Sequence, residues 1–173
     1  MSRQTPASPL LEFYVGVAPD AAGRMIDEIW SWDHRRLEMV HDFIQWLFPL
    51  PDPSRFNPDA PLLSAADSAA FRADTGLQQR VRRSLDLMLT FLGLKREGAA
   101  VMRGDHFTQD AAHWLQPANH NHLRLTRIML FLRHAGLTAE AASLLACLED
   151  IAAHEGADKI LPATLVFWRA TEA

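Results

Sequence analysis

The chain has 173 residues, 49% of them hydrophobic and 22% charged, which is enough to bury one core without disulfides and too apolar for extended disorder. Its net charge of −4 lacks the basic excess of a dedicated nucleic-acid or anionic-membrane binder. No window approaches the roughly 20 apolar residues of a spanning helix, and residues 1–9 lack the apolar stretch of a signal peptide, so a single cytoplasmic domain over residues 1–173 is expected.

In chain order, residues 2–18 read as an extended arm laid on the domain. A helix is predicted from Asp20 to about Trp32, with Met25, Ile26, Ile29 and Trp30 at helical spacing. Asp33 then caps a second helix in which Leu37, Val40, Ile44, Leu47 and Phe48 form one apolar stripe, stopped by Pro49. Residues 49–63 hold five prolines, which favours turn and polyproline geometry; Leu50, Phe56, Leu62 and Leu63 are expected to pack this loop down and keep it ordered. Ser64 and Asp67 form a variant capping box for a short helix to about Asp74, and a break at Thr75 or Gly76 leads into a long helix ending before Gly93. The last half of that helix is apolar nearly all round, which makes it central.

Residues 95–105 are charged and dotted with glycine, and are predicted to be a connection prone to disorder. Thr108 starts a short helix. A second central helix begins near Asn119 or Asn121 and runs on Leu125, Ile128, Met129 and Leu132 to Gly136. Thr138 caps a helix ended by Gly156, and Pro162 stands at the first position of the last one. No segment shows the alternation of a half-buried strand, so the expected fold is all-α, about seven to eight helices around two central apolar ones.

Nucleophile elbows and phosphate loops are absent, and the lone Cys147, in an apolar run, reads as a small buried hydrophobe. Eight histidines are the main chemical resource. His34, Glu38 and His41 could face one point of a helix and hold a metal, as could a looser group of His106, His113, His120 and His122; a core-edge His41 and a solvated His34–Glu38 pair are the plainer readings. His120, Arg124, Arg127 and His134 form a cationic stripe on the second central helix. Asp86 sits between Leu85 and Leu87 in the other central helix, where an unpaired buried carboxylate costs several kcal/mol, so it either pairs with Arg124 or Arg127, the leading expectation, or lies at a cleft edge.

The string Leu37-Glu38-Met39-Val40-His41-Asp42-Phe43-Ile44-Gln45-Trp46-Leu47-Phe48-Pro49 resembles the L-E-x-x-H-x-[YF]-I-Q-W-L-F-P signature of the opioid growth factor receptor family. The run Asp86-Leu87-Met88-Leu89 with Phe91 and Gly93 looks like its next block. His120-Asn121-His122-Leu123-Arg124-Leu125-Thr126-Arg127-Ile128 is similar to its H-N-N-L-R-I-T-R-I, departing at His122. The resemblance covers about residues 13–137. It implies a receptor-like domain, the animal member being described as a receptor for the enkephalin pentapeptide, and it offers no catalytic residues to transfer. The leading expectation is therefore a non-catalytic domain binding a peptide or small anionic ligand, without cofactor or metal. His41, Gln45, Trp46, Asp86, His120, Asn121, Arg124 and Arg127 are its expected site residues. A metal-dependent or general-acid enzyme centred on the His/Arg cluster is the alternative.

Overall fold

A computed structural model of the chain describes residues 7–173. Among them are ten helices and one two-stranded antiparallel hairpin, so the expected all-α fold of seven or eight helices becomes a mainly α fold with more and shorter helices.

The first correction is at the start. The segment expected to be extended contains helix α1 (Pro9–Tyr14), begun by the Ser8 hydroxyl accepting from the Leu11 amide and by Pro9 at its first position; residues 1–6 of that arm lie outside the described ones. Six residues are too few to show a period, and burial of Leu10, Phe13 and Tyr14 holds the helix in place. Asp20 does not start a helix. Its carboxylate accepts from the amides of Ala22 and Arg24 and closes a turn, and α2 (Ile26–Trp30) follows without a side-chain cap.

The single helix predicted from Asp33 is two. α3 (His34–Met39), capped by Asp33, ends where Val40 turns extended, and α4 (Ile44–Leu47) resumes after a bend. The carbonyls of Leu37 and Val40 accept from the Arg124 guanidinium instead of from helix amides, at 2.8 Å each. A contact from 84 or more residues away thus sets the break, which the local periodicity could not show.

α5 (Ala65–Ala73) carries the complete Ser64/Asp67 capping box, and Asp74 both ends it and caps α6 (Thr75–Phe91). Beyond Gly93, which adopts φ +75°, the predicted disordered connection is an ordered hairpin of β1 (Leu94–Glu97) and β2 (Ala100–Arg103), with Leu94 opposite Arg103. Its charges are clips: Arg96 grips Asp86 of α6 through two bonds of 2.8 and 2.9 Å, and Arg103 grips Glu155 through two of 2.7 and 2.8 Å. After α7 (Phe107–Asp110), preceded by His106 and not by Thr108, come α8 (His120–His134), α9 (Thr138–Ala153) and α10 (Pro162–Ala170).

α8 packs on α9, α10 and α5, while α6 packs on β1, α5 and α2. Edge-to-face rings of Tyr14, Phe71 and Phe131 knit α1, α5 and α8 into one continuous core. The proline loop is ordered and tied at its ends, with the Leu63 amide donating to the Leu50 carbonyl and Leu63 buried. Its expected packing is only partial, because Phe56 is 82% exposed and Leu62 is exposed too.

Candidate functional site

Phe56 stands at the rim of a cavity of about 460 Å³ between the proline loop, the α3–α4 bend and α8. The spacing of α8 builds one wall: Leu123, Arg124, Arg127 and Leu130 follow His120 at helical intervals and project to the same side. His41, Ile44 and Gln45 form the opposite wall, and Leu50 and Arg55 come from the loop. Five of the eight expected residues, His41, Gln45, His120, Arg124 and Arg127, therefore meet in one place. Arg55, Leu50, Phe56, Leu123 and Leu130 were not expected there. Leu123 and Leu130 carried a readable signal, since they flank the cationic stripe one and two turns along the same face. No Asp or Glu is among the lining residues.

The polar groups are held in a definite order. Glu38 Oε2 accepts from Asn121 Nδ2 at 3.1 Å, and Asn121 Oδ1 accepts from Arg124 Nη1 at 3.2 Å, so an amide relays between carboxylate and guanidinium. Burial pushes the Arg124 guanidinium down to about 10, with Glu38 opposing the fall, so it stays charged at neutral pH. Burial also lowers Arg127, whose Nη1 donates to the Phe48 carbonyl at 3.1 Å. The Gln45 side-chain amide lies 3.2 Å from the His41 and Asp42 carbonyls, which its nitrogen reaches as donor once the amide oxygen and nitrogen are exchanged. His120 Nε2 lies 3.1 Å from Glu38 Oε1, and its ring meets that of His41 edge-on at 5.3 Å. Burial first, then the charges of Arg124, His41 and His113, lower the pKa of His120 against the pull of Glu38, so the imidazole is mainly neutral at pH 7.

Three expected residues lie elsewhere. Asp86 pairs with Arg96 and not with Arg124 or Arg127, because its side chain emerges from α6 onto the hairpin, which the sequence had hidden as a connection. Trp46 is core, its ring edge-on to Phe13 at 5.2 Å. Asn121 is fully buried as the relay behind the wall. The His34–Glu38 pair is also corrected: the His34 ring sits against Phe91, while Glu38 turns to Asn121 and His120. Among the described residues no group of three His, Cys, Asp or Glu is placed to hold a metal ion, which removes the geometric basis for both histidine sets.

The family model described as Opioid growth factor receptor (OGFr) conserved region matches residues 4–171. The chain belongs to this family. Its relatives include the opioid growth factor receptor of Mus musculus, 37% identical over 128 residues that make up 70% of this chain and 20% of the relative. The Homo sapiens receptor is 34% identical over 139 residues, 75% of this chain and 20% of its own. Opioid growth factor receptor-like protein 1 of Mus musculus is 32% identical over 132 residues, 73% and 28% respectively. The matched region is thus 20% to 28% of the length of these curated relatives. No solved structure matches. The family region runs past the 13–137 span of the recognisable motifs and takes in α9 and α10.

Proposed function

We propose that this member of the family is a non-catalytic binding domain for a peptide or small molecule carrying an anionic group, and that the ligand enters the cavity between α8 and the proline loop. The observation that carries this reading is the composition of the cavity wall: three arginines and two imidazoles, no carboxylate, and a large apolar surface that includes the exposed Phe56 and Leu123. Guanidinium groups in an apolar, concave setting favour an anion attached to an apolar body. The name of the longer relatives, a receptor for a growth factor, supports a ligand-binding role for the region they share with this chain.

A thermal-shift screen of short peptides and small carboxylates and phosphates tests it. A true ligand at about 100 times its Kd stabilises the native state by roughly 2.7 kcal/mol, a shift of several degrees for a chain of this size. The shift is expected to be lost in Leu123→Asp, which places a like charge in the wall. A shift that Leu123→Asp leaves intact would put the ligand elsewhere, and a panel with no stabilising member sinks the reading.

A further inference from the structure

The bonds made by the buried Arg124 and the half-buried Arg127 divide their roles and narrow the ligand. Arg124 Nη1 donates to Leu37 O and Asn121 Oδ1, and Nη2 donates to Val40 O and faces His41 Nδ1 at 3.4 Å, so both terminal nitrogens are occupied. Arg127 has one bond, to Phe48 O, and no ion pair with any described residue. A guanidinium carries five N–H donors, so four of those on Arg127 have no protein acceptor. The Gln45 amide carries no charge, the His120 imidazole beside Glu38 is mainly neutral, and Arg55 is exposed at the rim. The interior of the cavity therefore offers one uncommitted planar cation.

Resting on the binding reading above, we propose that the ligand is a free monocarboxylic acid with a compact apolar body, its carboxylate paired with Arg127 and its body laid along Leu123, Leu130 and Phe56. A single fork-shaped cation matches a planar monoanion through two parallel bonds, whereas a phosphate dianion would leave charge unmatched. The body must be apolar because Leu123 and Phe56 are 58% and 82% exposed beside the cavity and gain burial from it. Size fits as well: a cavity of about 460 Å³ falls within the range of small-molecule sites.

Isothermal titration of the full chain at pH 7 with octanoate, octanamide, octyl phosphate and an N-acetylated leucine tripeptide tests the proposal. Octanoate is expected to bind one to one, and octanamide about ten- to a hundredfold more weakly, the range for a hydrogen-bonded charge. Arg127→Gln should lose the same factor for octanoate and little for octanamide. Arg127→Lys, which keeps the charge without the fork, should fall between, and Arg133→Gln, paired to Glu172 on another side of α8, should match the wild type. Circular dichroism confirms that each variant is folded. Tighter binding of octyl phosphate or of the tripeptide than of octanoate overturns the ligand class, as does an Arg127→Gln that binds octanoate normally. If the earlier screen yields a Leu123-dependent ligand while octanoate fails, the class is wrong and the binding function stands. If neither yields a Leu123-dependent ligand, both fall together.

Discussion

Arg124 and Arg127 stand three residues apart on α8 and face the same cavity, yet one is tied into the protein frame and the other is largely open. Removing the Arg124 guanidinium leaves the Leu37 and Val40 carbonyls and the Glu38–Asn121 relay without their donor. Arg124→Ala is expected to destabilise the fold by about 3 kcal/mol, since lost bonds to a charged group cost ~1.5–3 kcal/mol apiece and the loop can recover part from water. Arg127→Ala should cost about 1 kcal/mol, and urea unfolding of the two variants measures the difference. The shared face was legible because helical spacing fixes it. The division of labour was not, because it depends on carbonyls in the α3–α4 bend. Asp86 failed for the same kind of reason: apolar flanks argued for a buried partner on α8, whereas its side chain is 49% exposed against Arg96. A double-mutant cycle of Asp86→Ala and Arg96→Ala should give a coupling of about 0.5–1 kcal/mol.

His122 sets a pH dependence at the same scale. It is buried between Trp114 and Trp168, with Nε2 bonded to the Trp114 carbonyl, and burial lowers its pKa from 6.5. The unfolded chain therefore binds this proton first as pH falls, so stability is highest above about 6.5 and declines below it. His120 and His134, also lowered mainly by burial, act in the same direction. The unfolding midpoint should drop between pH 7 and pH 5, with a shallower slope in His122→Asn; an equal slope in that variant would remove His122 from the account.

Among the elements, those defined by caps and period could be read directly: α5 with its Ser64/Asp67 box, α6 up to Gly93, its break lying at Asp74 and not at the expected Thr75 or Gly76, and α8 from Asn119, one of its two expected starts. The hairpin could not. Its strands are four residues each, and their polar faces are covered by ion pairs to α6 and α9, so the alternation of a half-buried strand never forms. Its base closes where the Gly104 amide donates to the Gly93 carbonyl at 2.8 Å. A Cβ on Gly104 would stand 2.8 Å from that same oxygen, a clash with backbone that cannot move aside without opening the hairpin. Gly104→Ala should lower stability by about 1–3 kcal/mol. Gly98→Ala at the turn, where φ is +60° and no atom lies within 4 Å, should cost only the left-handed penalty of about 1 kcal/mol. Thermal midpoints of the two variants rank them.

At the scale of the whole molecule, the motif residues form one side of a structure whose other side they do not describe. α8 presents the cavity face to the proline loop and its opposite flank to α9 and α10, so the geometry of the site depends on helices outside the recognisable strings. The joint is Trp168. Its ring is fully buried against His122, its Nε1 donates to the His122 carbonyl at 3.1 Å, and the Thr171 hydroxyl donates to the Trp168 carbonyl, locking the end of α10. Sequence placed this helix correctly through Pro162 but gave Trp168 no partner, since its contact lies 46 residues back. Trp168→Ala removes a large core side chain and one of the donors to the His122 carbonyl, and is expected to cost about 3–5 kcal/mol. Deleting residues 161–173 goes further, because it uncovers His122 and the flanks of α8 and α9 together. The shortened chain is expected to keep most of its far-ultraviolet helix signal, lose its near-ultraviolet signal and bind a hydrophobic dye, the signature of a core that has lost specific packing. A truncated chain with a sharp thermal transition and an intact near-ultraviolet spectrum would mean that α10 is an accessory to the fold, and that the cavity wall on α8 is held from the α5 and α9 sides alone.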